Sequence, residues 1–289
     1  MKKILYTFIL LNTFILANIN VVVSILPEET FVKAVGGDKV TVTPMVLPGN
    51  SPHTYEPKPS QMKAIAAAQI YFAIGVEFEK VWLPKFEALN PAMKVIDLSE
   101  GIEKLPMGAA HLHENETDHA HEAHHHDAGL DPHIWTDPAN VAKIAHTIFT
   151  TLTAADPTNA DYYRKRLDAF LAQIAQTDQT IRQILSSLPK GTPFMVFHPS
   201  WGYFAQAYGL KQISVEMEGK APKPAALIAL IKEAREEKVK AIFTQPEFSM
   251  QSAGVIADEL HIPVIQVTPL AKAWSQNLIR IAKAIAGEK

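Results

Sequence analysis

The chain has 289 residues, with 27 Lys and Arg against 30 Asp and Glu, and no cysteine. Without thiols it forms neither a disulfide nor a thiolate metal site, so any metal chemistry must use imidazole, carboxylate and water. The formal charge of −3, or −5 once Lys2 and Lys3 are set aside, gives no electrostatic reason to expect a nucleic acid or an anionic membrane surface as partner.

Met1-Lys2-Lys3 makes a short positive start, Ile4 to Leu16 is an almost unbroken apolar run, and Ala17 offers a small residue before Asn18. This pattern predicts a secretory signal peptide over residues 1–17 and a periplasmic destination. The run is short for a membrane span, which needs roughly 20 apolar residues, and either cleavage or retention as an anchor is compatible with it. No cysteine lies nearby to carry a lipid.

From there apolar, β-branched runs alternate with helical patterns. Strands are predicted at Ile19 to Leu26, Val40 to Leu47, Ile70 to Val76 and Met93 to Leu98, with helices near Glu28 to Val35, Ser60 to Ala68 and Phe78 to Leu89. The alternation resumes with strands at Pro193 to Phe197, Gln212 to Glu216, Ala241 to Thr244 and Pro263 to Val267. Helices near Trp201 to Tyr208, Ala225 to Glu237, Gln251 to Leu260 and Lys272 to Ala286 separate and follow them. Strand then helix, repeated, predicts parallel sheets. Between the two series, Tyr163, Leu167, Phe170, Leu171, Ile174, Ile181, Ile184, Leu185 and Leu188 mark one face of a helix from Asp161 to Leu188, with Pro157 before it and Pro189 after it. At 1.5 Å per residue this helix would reach about 42 Å, the length of both sheets together.

The predicted fold class is therefore α/β: two lobes, each a four-stranded parallel sheet flanked by helices, joined by a long rigid spine helix. The N-terminal lobe is placed at 18–137, connecting helices at 138–190 with the spine at 161–188, and the C-terminal lobe at 191–289.

Seven of the twelve histidines fall between His111 and His126: His111, His113, His119, His121, His124, His125 and His126. Even spacing would place fewer than one there. Acids interleave with them and no Lys or Arg interrupts, so the loop at 109–128 is expected to be disordered when metal-free and to gather cations as an auxiliary capture segment.

Three other histidines sit where a parallel sheet builds its ligand sites, beyond the carboxyl ends of the strands. His53 lies in the proline-stiffened Pro48-Gly49-Asn50-Ser51-Pro52-His53-Thr54-Tyr55-Glu56-Pro57. His133 stands in Asp131-Pro132-His133-Ile134-Trp135, followed by an aromatic able to keep a site dry, and His198 comes at the tip of the strand Phe194-Met195-Val196-Phe197. His146, within a helical stretch, and His261, at a helix C-terminus, are expected to be structural.

These blocks, with Phe197-His198-Pro199-Ser200-Trp201-Gly202-Tyr203-Phe204, resemble the zinc and manganese solute-binding proteins of ABC-type importers over essentially the whole chain after the signal segment. The resemblance implies one metal site in an interlobe cleft, delivery to a membrane permease, and His53, His133 and His198 as the first three ligands. Nitrogen donors favour Zn(II) over manganese or iron, the alternative cargo. Many members of the family place an Asp in the loop after the last strand, where this chain has Thr268. The fourth position is left to water or to Glu56, Glu216 or Glu247, of which Glu247 is topologically well placed. An exported zinc hydrolase is the weaker reading: no H-E-x-x-H segment, G-x-S-x-G elbow or phosphate-cradling loop is present. No enzymatic activity is expected, and a monomer is.

Overall fold

The computed structural model describes residues 18–107, 129–216, 222–248 and 251–288. The expected signal segment at 1–17 and the histidine-rich loop at 109–128, with its seven histidines, lie outside the described residues.

The first half runs β1 (Ile19–Val23), α1 (Leu26–Gly36), β2 (Val40–Pro44), α2 (Pro59–Ala67), β3 (Ile70–Ala73), α3 (Glu77–Leu89) and β4 (Lys94–Asp97). Two helices follow, α4 (Pro138–Ala155) and α5 (Ala160–Leu185). The second half runs β5 (Pro193–Val196), α6 (Gly202–Tyr208), β6 (Lys211–Ser214), α7 (Pro224–Glu236), β7 (Ile242–Thr244), α8 (Gln251–Leu260), β8 (Val264–Gln266) and α9 (Trp274–Ala286). The two sheets are fully parallel and ordered β2-β1-β3-β4 and β6-β5-β7-β8. Interior strands β3 and β7 are buried at every residue while edge strands β4 and β8 have none buried, which is why the interior runs read as continuous rather than alternating apolar sequence.

Most strands end sooner than their apolar runs. The first run was expected to extend to Leu26, yet β1 stops at Val23; Ile25 is fully buried as loop and Leu26 already opens α1. Hydrophobicity here records burial, and burial continues past the last ladder bond. The spine helix also differs at its end. It stops at Leu185, three residues short of Leu188, where Ser186 Oγ donates to Gln183 O at 2.8 Å and competes with the backbone ladder. Its 26 residues still reach about 39 Å. Buried Tyr163, Leu167, Phe170, Ile174, Ile181 and Leu185 lie against α1, α4 and α9, so one helix touches both halves. No helix among the described residues is long and apolar enough to cross a membrane.

The halves share one hydrophobic core, running from Ile19 to Ile285, with a smaller cluster inside the second half. Directed bonds fix the seam. Trp135 Nε1 donates to Pro269 O at 2.8 Å and Trp274 Nε1 donates to Trp135 O at 2.7 Å. Tyr203 on α6 donates to Asp131 O at 2.9 Å and accepts from Leu105 N at 3.0 Å. Lys272 pairs with Glu29 at 2.9 Å, and Phe31 meets Trp274 edge-on at 5.5 Å.

Candidate metal centre

Both sheets turn their carboxyl ends toward the seam, and three loops bring imidazoles there. His53 comes from the β2–α2 loop, His133 from the segment before α4, and His198 from the residues just after β5. One ring nitrogen from each lies within 4.8 Å of the others. The Nε2 atoms of His53 and His198 face each other at 3.0 Å. The ring centroids of His133 lie 6.1 Å from His53 and 5.4 Å from His198. His133 and His198 are buried, and His53 is half-buried.

Each ring is oriented through its other nitrogen by a carboxylate. His53 Nδ1 lies 2.8 Å from Glu77 Oε2, while His133 Nδ1 donates to Asp131 Oδ1 at 2.7 Å and His198 Nδ1 to Glu216 at 3.1 Å. A carboxylate on Nδ1 places the proton there and leaves Nε2 with its lone pair, the tautomer a metal needs. Burial pushes the Glu77 carboxyl up, but the hydrogen bond and charge of His53 outweigh it and hold the group below its ordinary range. For His198 the balance goes the other way: burial outweighs Glu216 and lowers the imidazole pKa, which favours the neutral, metal-binding ring.

Local sequence explains much of this. Asp131 Oδ1 also accepts the backbone N–H of His133 at 2.9 Å, an Asx-type turn across Pro132 that sets ring and carboxylate together. A Cβ at Gly202 would stand 2.8 Å from Asp131 Oδ2, so glycine lets α6 close on that carboxylate. Gln245 donates to His198 O at 3.2 Å and to Ser200 Oγ at 2.6 Å, tying the exits of β5 and β7. Trp135 is fully buried with its ring 5.2 Å from His133, in the position of a drying aromatic.

The carboxylates expected near the site separate. Glu216 lies behind His198, both oxygens toward Nδ1 and away from the imidazole cluster. Glu56 is exposed. Glu247 lines the same chamber as the three histidines, held by Thr268 Oγ1 at 3.3 Å, and burial raises its pKa. His146 is exposed on α4, and His261 is exposed after α8 in a left-handed conformation, φ 54°. Sequence reasoning missed Glu77, 24 residues from His53, for which no local signal exists; for Asp131 the signal was present in Asp-Pro-His. The space lined by the three histidines and Glu247 is about 10 Å³, room for one ion or water.

Comparison with known proteins points to one family. The family model for zinc-uptake complex component A, periplasmic (ZnuA), matches residues 21–286. The zinc-binding lipoprotein AdcA of Streptococcus pneumoniae is 27% identical over 261 residues, covering 90% of this chain and 51% of AdcA, so the chain spans about half that relative's length. The manganese ABC transporter substrate-binding lipoprotein PsaA of the same organism is 27% identical over 255 residues, covering 83% and 76% of the two chains. A crystal structure of ZnuA superposes with a TM-score of 0.84 at 40% identity, covering 94% of this chain and 99% of that one. The chain belongs to the ZnuA family, whose members are solute-binding proteins and not enzymes.

Proposed function

We propose that this member of the ZnuA family captures Zn(II) in the periplasm, between its two sheets, and delivers it to the membrane permease of an ABC-type importer. The observation that carries the reading is the convergence of three imidazole nitrogens within 4.8 Å, each ring backed by its own carboxylate. With Zn–N bonds of about 2.0–2.1 Å, tetrahedral ligand nitrogens stand about 3.4 Å apart. Closing from the present spacing takes side-chain shifts on the order of an ångström, and no rotation of one half against the other. His53, His133 and His198 supply the ligands through Nε2. Glu77, Asp131 and Glu216 orient them and offset the charge of the ion. Glu247 or a water completes the tetrahedron.

Residues 1–17 direct export, and the histidine-rich loop gathers zinc weakly. Acid opposes capture, because a protonated imidazole cannot ligate. A manganese cargo is the second reading, favoured by the name of the PsaA relative and by the Glu247 oxygen at the chamber wall. Native mass spectrometry with zinc and manganese in competition separates the two, using the full chain and the His133→Ala and His198→Ala variants. One tightly held zinc, lost in both variants, is the expected result. Preferential manganese uptake rules for the second reading, and an ion retained by both variants refutes the assigned ligands.

A further inference from the structure

The residues lining the metal chamber divide by exposure. Pro52, His133, His198, Gln245, Pro269 and Leu270 are buried, whereas Ser51, His53, Glu247 and Phe248 keep part of their surface in solvent. The mouth is therefore bounded by the β2–α2 loop on one side and by the turn after β7 on the other, one contribution from each half.

Among the described residues, Phe248 is the one large apolar side chain at that mouth. Its ring lies flat on His198, with centroids 4.7 Å apart and planes 19° apart, and its centroid is 6.4 Å from that of His53. Phe197 supports it at 5.8 Å. The backbone N–H of Phe248 donates to Gln245 O at 3.2 Å, and Gln245 in turn grips His198 O, so the turn bearing the ring is anchored to the strand exit bearing the imidazole. A phenyl group offers the ion no donor atom; what it contributes here is cover. With the ring in this position the space beside the three histidines is about 10 Å³, room for one ion or water.

We infer that Phe248 is the gate of the metal chamber: its ring must leave the face of His198 for an ion to enter or depart, and it sets the exchange rate without being a ligand. The inference rests on the capture reading above. A gate is crossed in both directions, so removing it speeds uptake and release alike and leaves the affinity nearly unchanged. A ligand, by contrast, shows its loss in the affinity, and a purely structural side chain shows it in the unfolding midpoint without a matched change in both rates.

The test is stopped-flow exchange on the full chain, following zinc uptake with a competing fluorescent chelator and zinc release into excess EDTA. Phe248→Ala is expected to raise both rates about tenfold while shifting Kd by less than about threefold. Phe248→Leu, which keeps bulk against Phe197, is expected to give a smaller change in the same direction, and it serves as the readout if the alanine variant does not fold. Rates within about twofold of wild type in both variants overturn the gate, as does a release rate that rises with no change in uptake. Wild-type protein that takes up no zinc overturns the capture reading and the gate with it. Tight zinc binding with unaltered exchange overturns the gate alone.

Discussion

Glu79 offers a sharp test of how this fold handles buried charge. The side chain is only 4% exposed, and it accepts hydrogen bonds from Ile74 N at 3.0 Å, Gly75 N at 2.9 Å and the Ser24 hydroxyl. Burial nonetheless dominates and pushes its pKa from 4.5 to about 7, while the fully buried neighbour Glu28 is pushed up as well, by burial and by Glu79 itself. Between those two values the folded chain holds a proton that the unfolded chain releases. The stabilising contribution of Glu79 is thus fully present below pH 4.5 and is lost as pH rises through about 7. At 1.36 kcal/mol per unit, the loss amounts to roughly 3 kcal/mol. Glu79→Gln imitates the protonated form. It keeps an oxygen for Ser24 and Ile74 and gives up the acceptor facing Gly75, a cost that is the same at every pH. Urea denaturation of metal-free wild type and variant, at about pH 5 and about pH 8.5, should show the variant gaining roughly 3 kcal/mol on wild type between the two conditions. Stability curves that stay parallel within about 0.5 kcal/mol would show that the buried carboxyl does not titrate in this range, and the reasoning would fail.

Four further outcomes follow from the site, the histidine-rich loop and the seam. Glu216→Gln should weaken zinc binding about 10- to 100-fold, because a neutral amide can present its NH2 as well as its oxygen to Nδ1 and no longer fixes the His198 tautomer with a charged acceptor; an unchanged isothermal titration curve would remove Glu216 from the site's support. Gly202→Ala should weaken binding in the same direction by driving Asp131 off His133, and a crystal structure of the variant with that 2.7 Å hydrogen bond intact would contradict this. Deleting residues 111–126 should abolish zinc stoichiometry above one while preserving the tight site, which equilibrium dialysis against zinc can count. Small-angle scattering with and without zinc should differ little, since the halves share one core and α5 spans them both; a lobe rotation of tens of degrees would exclude the side-chain closure proposed above.

Much of the architecture was legible in the sequence because parallel strands, buried on both faces, write themselves as continuous β-branched runs. All eight strands among the described residues, and their order of alternation with helices, were readable in this way. Strand ends were less so, since Ile25 and Ile74 stay buried after their strands have stopped. The three imidazoles could be picked out because each follows a strand or a proline-framed turn at the carboxyl edge of a sheet. Of their carboxylate partners only Asp131 carried a local signal, in Asp-Pro-His. Glu216 was considered as a donor to the metal, yet it faces the far nitrogen of His198, a distinction that depends on which side of one ring it approaches. Glu77 reaches His53 only because β3 and the β2–α2 loop end at the same edge, a relation that no spacing encodes.

The two sheets repeat the same strand order, and each takes its four strands from one uninterrupted stretch, 19–97 and 193–266. No strand is exchanged between them. Pairing is thus solved inside each stretch, where loop closure is short, and it is the seam, with its paired indoles, Tyr203 against Asp131 and Leu105, and α9 against α1 and α5, that calls on distant parts of the chain. Assembly and joining become separate events during folding. A lesion at the join, such as loss of the Trp135 indole, is expected to leave two formed sheets that fail to dock, rather than a wholly unfolded polypeptide.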